Sequence, residues 1–283
     1  MFPVRRIRPS RLLAPYVKAF EERSRRLDAT VVLRPLPART EQFLEFYLAD
    51  RYRVRDIASG AVEAAPDIVL VGLQTYRRVD VLLGGDLNLF TIQFTPTGFS
   101  SLFGQAAASL TDRAHDGRDV LGSEIALIAE QLEAAPDLAA RAAIAEAWLG
   151  GRAIPLTADP IAWAARRMTA LHGSVRVADL AEAVDLGERQ FERRFTRAVG
   201  VSPKRYARVL RFREALRLKA EGAEPSWAAV AQAAGYVDQA HMIHEFRALA
   251  GDTPERLLAT MAPALETVLP GVGNLQSGRN ATA

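Results

Sequence analysis

Six basic side chains lie within the segment ERQFERRFTRAVGVSPKRY, which spans residues 188–206. Phe191, Phe195 and Val199 recur in this segment at steps of four, the spacing that places side chains on one face of a helix. The Arg and Lys side chains between them would then face away from the core. Guanidinium and ammonium groups bind anions through their charge and through hydrogen-bond donation. The segment therefore predicts a helix with one buried face and one face that contacts a negatively charged partner.

The positive charge of the chain is concentrated around this segment. The chain of 283 residues has a formal net charge of +3, whereas residues 188–219 contain eleven Lys or Arg and three Asp or Glu, a net charge of +8. Such a basic patch is expected of a protein that binds nucleic acid. A solvated helix face without a partner is the alternative interpretation.

The composition excludes several classes of protein. The chain has no Cys, which excludes disulfides, thiolate metal sites and a Cys nucleophile. No stretch approaches the ~18 consecutive apolar residues of a membrane helix. The N-terminus also lacks the apolar segment of a secretory signal. We therefore expect a cytoplasmic protein without membrane association, and the length suggests about two domains.

The first part of the chain predicts a β-rich domain. Short segments rich in β-branched and aromatic residues, separated by Gly, Pro and Asp, are typical of strands and turns. The predicted strands are 31–36, 42–48, 67–72, 78–83 and 87–94, with a hairpin turn at LGGD, 83–86. Their spacing favours a small β-barrel or sandwich. Helices are predicted at 98–104, 119–133 and 136–149.

The predicted fold class is α+β, with a β-rich domain that ends in helices at 1–150 and an all-α domain at 160–262. Gly and Pro cluster between these two regions, which predicts a linker at 151–159. The segment 263–283 has no sustained pattern and predicts a flexible tail.

An internal repeat divides the helical region. Residues 177–203 and 227–254 share an order of small, aromatic, Gly and Pro residues, fifty positions apart and then fifty-one. The matched pairs include Leu180 with Val230, Ala181 with Ala231, Phe191 with Met242, Phe195 with Phe246, Gly200 with Gly251, and Pro203 with Pro254. Each copy has a short helix, a tight turn and a second helix with a polar face, which is the helix-turn-helix pattern. Two generic helical hairpins are the alternative.

A single helix is predicted between the two copies, at 202–222. Ser202 is a suitable N-cap, Pro203 fits the first turn, and Gly222 can end the helix. About twenty residues give a length of roughly 30 Å. This length is close to the ~34 Å between successive major-groove faces of DNA. Such a helix would hold two recognition helices on one side of a duplex.

Residues 160–262 resemble the DNA-binding domain of the AraC/XylS transcriptional regulators. The resemblance rests on LAEAVDLGERQFERRFTRAVGVSPKRYARVLRFREAL at 180–216 and AVAQAAGYVDQAHMIHEFRALAGDTPERL at 229–257. The N-terminal domain resembles the cupin-like domains of some of these regulators, through RPSRLLAPYVKAFEERS and FTIQFTPTGFSSLFG. The resemblance implies a sequence-specific regulator, activator or repressor, that is not an enzyme. It implies promoter DNA and RNA polymerase as partners and no cofactor, and it leaves open a small-molecule effector and a homodimer.

The resemblance further implies recognition helices at 188–199 and 238–249 that enter successive major grooves. Arg189, Glu192 and Arg193 fall on base-contacting positions, where Arg matches guanine and Glu accepts a hydrogen bond from cytosine. Glu192 could instead orient a neighbouring Arg. The DNA-binding residues that we expect are Arg189, Gln190, Glu192, Arg193, Thr196, Lys204, Arg205, Gln239, Ala240, Ile243 and His244.

The expected roles differ between these residues. Gln239 suits adenine, while Ala240 and Ile243 suit a thymine methyl group. Lys204 and Arg205 belong with phosphate contacts, and the same interpretation applies to Arg208 and Arg211. Two features depart from the family pattern, because Gly187 replaces the usual N-cap and Arg194 stands where the family tends to be apolar.

The sequence leaves the role of the N-terminal domain open between effector sensing and dimerisation. A catalytic cupin needs several His and a carboxylate, whereas this region contains only His115, after the predicted strands. His241 and His244 lack further ligands nearby, so no metal site is expected. The alternative function is a cupin-like ligand-binding protein or enzyme whose helical half mediates protein contacts. A third is a DNA-binding protein whose barrel only dimerises.

Overall fold

The structure is a computed structural model that describes residues 4–153, 159–221 and 226–265. Within the described N-terminal region, eight strands form one antiparallel sheet. The strands are β1 (Val4–Ile7), β2 (Val17–Pro35), β3 (Phe43–Tyr47), β4 (Arg53–Asp56), β5 (Val62–Ala64), β6 (Ile68–Val71), β7 (Val79–Phe94) and β8 (Ala114–Asp116). The predicted linker includes residues 154–158, and the predicted tail includes residues 266–283, which lie outside the described residues.

Strand β7 organises the sheet. The strand order is β1-β2-β7-β3-β6-β8, and β4 pairs with both β5 and β7. The first half of β7 pairs with β4, as in Val54 with Val81, and its second half pairs with β3, as in Leu44 with Ile92. Strand β2 runs along the opposite edge of β7 for the length of both halves. The β-rich domain is therefore confirmed, and β7 forms the centre of its sheet.

The predicted hairpin at 83–86 is wrong, because β7 continues through it. Gly85 has a φ of 77° and pairs with Leu27 of β2, which accommodates an irregularity in the pairing. A Cβ atom at Gly85 would lie 2.3 Å from the Asp50 carboxylate. The glycines therefore bend one strand. They do not reverse the chain.

The sequence analysis missed β1 and the first half of β2. The charged segment EERSRR in β2 lacks the apolar alternation of a half-buried strand. In the structure Glu21 is buried and pairs with Arg6 and Arg23, so ion pairs replace apolar contacts here. The short strands β4, β5 and β8 were also missed.

The helices after the sheet pack against it. They are α1 (Gly98–Phe103), α2 (Gly117–Leu121), α3 (Glu124–Ala134) and α4 (Leu138–Gly150), with a 3₁₀ helix at Ala107–Leu110. The single helix predicted at 119–133 is two helices, because Gly122 breaks it with a φ of 84°. Leu132 and Leu149 share one core with Phe20 and Phe90 of the sheet. These helices therefore belong to the core of the N-terminal region.

The helical region contains both predicted copies of the repeat. Its helices are α5 (Pro160–Ala170), α6 (Val177–Ala183), α7 (Glu188–Val199), α8 (Pro203–Glu221), α9 (Trp227–Ala233), α10 (Gln239–Ala250) and α11 (Pro254–Leu265). Leu186 N–H donates to the Ala181 carbonyl, and fifty residues later Tyr236 N–H donates to the Ala231 carbonyl. Both recognition helices end at a left-handed Gly, Gly200 and Gly251.

Helix α8 joins the two helix-turn-helix units by belonging to the core of each. Tyr206 and Leu210 pack in the first unit with Phe195. Phe212 packs in the second unit with Phe246, with ring centroids 4.7 Å apart. None of the described helices is long and apolar enough to cross a membrane.

The shared core predicts large stability losses on truncation. Replacing Phe195 or Phe246 by Ala should each lower the free energy of unfolding by about 3–5 kcal/mol, because both rings are fully buried. Leu127→Ala is the control, since Leu127 is 60% exposed and its truncation should cost within about 0.5 kcal/mol. Urea titration followed by circular dichroism measures the free energy of unfolding of each variant. Equal losses in all three variants would contradict the assignment of these cores.

Candidate nucleic-acid interface

Helix α7 separates its side chains into a buried and an exposed face. Phe191, Phe195 and Val199 are fully buried. The predicted DNA-binding side chains on this helix lie on the other side, where Arg189, Gln190, Glu192 and Arg193 are exposed and Thr196 is half-buried. Arg189, Glu192, Arg193 and Thr196 follow the i, i+3, i+4, i+7 spacing of one helix face. The structure thus brings these four together.

Helix α10 presents the equivalent face in the second unit. Met242 and Phe246 are fully buried, while Gln239, Ala240 and His244 are exposed and Ile243 is half-buried. The fifty-one-residue repeat equates Ala240, Ile243 and His244 with Arg189, Glu192 and Arg193. The two predicted contact faces therefore occupy the same place in each unit, with a charged set on α7 and a mostly uncharged set on α10.

The two recognition helices start differently. The Asp238 carboxylate accepts a hydrogen bond from the His241 N–H at 2.7 Å, which caps α10 as the sequence predicts. Helix α7 begins after Gly187, which has no side chain to cap it. The first turn of α7 therefore depends on packing, or on a bound partner, for satisfaction of its free N–H groups.

The basic patch divides into free and paired side chains. The side chains of the exposed basic residues of α7 and the start of α8 make no hydrogen bond or ion pair with any described residue. They are Arg189, Arg193, Arg194, Arg197, Lys204 and Arg205. Glu192 likewise has no ion pair with Arg189 or Arg193 among the described residues. Its carboxylate is accordingly available to a ligand.

Arg208, which the sequence analysis assigns to phosphate contacts, is paired within the protein. Its guanidinium donates to both oxygens of the buried Glu245 carboxylate, at 2.8 and 3.0 Å. These hydrogen bonds raise the pKa of Arg208 further above its usual range. Arg208 therefore ties α8 to α10. Arg211 donates to the Gly173 carbonyl at 3.3 Å.

His241 and His244, the two histidines of α10, are both exposed. The His241 ring packs edge-on against Tyr236, with centroids 5.5 Å apart. Within residues 4–153, 159–221 and 226–265, no group of three or more His, Asp or Glu side chains is placed to hold a metal ion.

The sequence analysis missed a cleft between the sheet and the helical region. It has a volume of about 250 Å³ and is lined by polar and apolar groups, including Lys18, Phe94, His172, Tyr206 and Arg213. The Lys18 ammonium faces this cleft and makes no hydrogen bond or ion pair within the described chain. Partial desolvation, with the nearby charges of Arg213 and Arg6, lowers the pKa of Lys18. No sequence motif marks this site, because its walls come from segments far apart in the chain.

Comparison with known families matches both regions of the chain. A family model described as a helix-turn-helix domain matches residues 180–260. A second model, described as domain of unknown function DUF6597, matches residues 5–116. A search of curated protein sequences finds no match.

Solved structures similar to this chain have low sequence identity to it. ToxT from Vibrio cholerae is 11% identical, with 85% of this chain and 98% of that chain covered and a TM-score of 0.46. A structure of ToxT with a bound unsaturated fatty acid is 12% identical, covers 84% and 95%, and has a TM-score of 0.44. The AraC-like transcriptional activator CuxR is 12% identical, covers 80% and 83%, and has a TM-score of 0.23.

The Arg208–Glu245 pair can be tested by stability. Arg208→Ala should lower the free energy of unfolding by about 1–3 kcal/mol, because it leaves the buried Glu245 carboxylate without its partner. Arg194→Ala removes an exposed, unpaired guanidinium and should change the free energy of unfolding by less than about 0.5 kcal/mol. Urea denaturation measures both. Unchanged stability with weaker DNA binding in Arg208→Ala would restore Arg208 as a phosphate contact.

Proposed function

We propose that the chain is a DNA-binding transcriptional regulator of the AraC type whose two helix-turn-helix units bind one promoter together. The match of residues 180–260 to a helix-turn-helix family model supports this proposal. Helices α7 and α10 enter successive major grooves on one side of the duplex. Helix α8 has nineteen residues, and at 1.5 Å per residue its length is about 28 Å. This length is comparable with the ~34 Å repeat of the major groove.

The observation that carries this proposal is the pair of equivalent, exposed and unpaired faces on α7 and α10. Arg189 and Arg193 on the first face have free guanidinium groups, which match the O6 and N7 acceptors of guanine. Glu192 accepts from a cytosine amino group, and Gln190 and Thr196 extend the same contact.

The second unit makes a different set of contacts. Gln239 donates to and accepts from adenine, and Ala240 and Ile243 touch thymine methyl groups. His244 replaces a charged donor at the position equivalent to Arg193. Lys204 and Arg205, exposed at the start of α8, contact phosphates and position the first unit.

Substitutions on α7 and α8 should separate base contacts from phosphate contacts. The DNA is a duplex enriched from a random library by the full-length protein. Arg193→Ala should weaken binding to this site by about 1–3 kcal/mol and relax base preference at one position. Arg205→Ala should weaken binding to all sequences alike. It should also lower the salt slope, which is the slope of the logarithm of the binding constant against the logarithm of the salt concentration, by about 1. Fluorescence anisotropy at several salt concentrations measures both.

Arg11→Ala is the control for this comparison, because Arg11 is exposed in the N-terminal region, before β2. It should leave affinity, base preference and salt slope unchanged. If Arg193→Ala binds the enriched site as tightly as the unmodified protein, then α7 does not contact bases through Arg193.

The cleft favours effector sensing as a second function of the chain. The unpaired Lys18 ammonium attracts an anion, while Phe94, Tyr206 and Leu210 offer apolar contacts. We infer that the effector is a small amphipathic anion held between the sheet and α8. This inference distinguishes an effector-controlled regulator from one whose N-terminal domain only dimerises.

A thermal-shift experiment tests the effector. The probes are a series of alkyl and aromatic carboxylates added to the full-length protein. A carboxylate present at 100 times its dissociation constant should stabilise the folded state by about 2.7 kcal/mol, which raises the melting temperature. Lys18→Ala should abolish the shift, and Arg11→Ala should retain it. An equal shift in Lys18→Ala would exclude this cleft as the anion site.

A further inference from the structure

The end of helix α7 is capped by side chains from the N-terminal region. Three successive carbonyl groups at its C-terminus each accept a hydrogen bond from a different element of that region. The bonds are Ser100 Oγ to Ala198 at 2.9 Å, Gln42 Nε2 to Val199 at 2.8 Å, and Thr111 Oγ1 to Gly200 at 2.7 Å. All three donors belong to residues at least 89 positions away in sequence.

This arrangement solves a problem that every helix end has. The last four carbonyls of a helix lack partners within the helix, and a left-handed Gly satisfies only part of them. Here the Gly200 N–H donates to the Thr196 carbonyl, and the carbonyls of Ala198, Val199 and Gly200 accept hydrogen bonds from outside the unit. A Cβ atom at Gly200 would lie 2.7 Å from Thr111 Oγ1, so only glycine allows this approach.

The second recognition helix is held at the equivalent position. The Leu249 carbonyl accepts a hydrogen bond from the Ala38 N–H at 2.9 Å. Leu249 follows Ala198 by fifty-one residues, which is the period of the repeat. Ala38 is also buried in the core of the second unit. The N-terminal region therefore donates a hydrogen bond to the equivalent carbonyl in both copies.

A third contact lies between these two, on helix α8. The Arg213 guanidinium pairs with the Glu41 carboxylate and donates to Thr40 Oγ1 at 3.1 Å. Ala38, Thr40, Glu41 and Gln42 thus contact α10, α8 and α7 in turn. We call residues 38–42 the bridging segment, and all five of its residues are buried.

We propose that the bridging segment, together with Ser100 and Thr111, fixes the separation and direction of the two recognition helices. These residues act as positioning residues for DNA binding. They touch no base, but they set which spacing between half-sites the protein accepts. The inference rests on the proposed function, because it assumes that α7 and α10 bind one duplex together.

The inference predicts a specific effect on half-site spacing. One inserted base pair moves a half-site by about 3.4 Å and rotates it by about 35°. A rigidly held pair of recognition helices cannot follow this change, whereas a loosely held pair can. Removal of the caps should therefore relax spacing preference and leave the affinity for a single half-site unchanged.

The test uses the full-length double variant Gln42→Leu with Thr111→Val, which removes two cap donors and retains side-chain volume. Anisotropy titrations compare the enriched site, the same site with one base pair inserted between the half-sites, and each half-site alone. The unmodified protein should bind the original spacing more tightly than the altered one. In the variant, the ratio of these two affinities should fall roughly tenfold. Ser109→Ala is the control, because Ser109 Oγ bonds only the nearby Ala106 carbonyl. It should behave as the unmodified protein.

Two outcomes would overturn the inference while DNA binding itself stands. The variant could keep the full spacing preference, or it could lose affinity equally for single half-sites and the intact site. If the unmodified protein binds no duplex, the proposed function fails. A measurement without DNA then decides the positioning role.

That measurement is the distance between spin labels on the two recognition helices. The chain has no native Cys, so Arg194→Cys and Arg247→Cys place one label on each helix at exposed positions. The inference predicts a narrow distance distribution that broadens in the Gln42→Leu, Thr111→Val background and not in Ser109→Ala. An equally narrow distribution in all backgrounds would show that α8 alone holds the units.

Discussion

The packing of helix α8 into two cores at once is the constraint on which the rest of this structure depends. Tyr206 and Leu210 belong to the first helix-turn-helix unit, and Phe212 and Leu216 belong to the second. Because well-packed cores tolerate little sliding, neither unit can rotate about α8 without loss of contacts. Helix α8 therefore limits the rotation of each unit, and the bridging segment adds contacts to α7, α8 and α10.

The arginines of the helical region perform two physical tasks. On α8, Arg208 neutralises the buried Glu245 carboxylate and Arg213 neutralises the buried Glu41 carboxylate. A buried carboxylate without a cation would cost several kcal/mol, so these arginines are committed to the fold. Those on α7 remain unpaired in water, where they keep their charge for phosphates and base edges. The number of basic residues in the sequence therefore does not distinguish the paired arginines from the unpaired ones.

Sequence patterns predicted the helical region well and the sheet only in part. The repeat of Phe195 with Phe246 and Gly200 with Gly251 identified both units, because helix periodicity and glycine caps depend only on residues that are close in sequence. Gly85 was misinterpreted as a turn, since a glycine bulge and a hairpin turn look alike without knowledge of the partner strand. The charged start of β2 escaped detection because its buried Glu21 is satisfied by Arg6 and Arg23.

The exposed faces of α7 and α10 could be predicted from sequence, since helix geometry alone separates Arg193 from Phe195. The cleft and the caps on α7 could not. Lys18 and His172, or Gln42 and Val199, meet only through the packing of the N-terminal region on the helices. Single-sequence periodicity carries no signal for such long-range contacts.

Hydroxyl-radical footprinting of the full-length protein on its enriched site tests the central claim most directly. If α7 and α10 occupy successive major grooves on one side of the duplex, the footprint contains two protected patches about ten base pairs apart on the same face. One patch only, or protection around the whole circumference of the duplex, would contradict simultaneous binding by the two recognition helices.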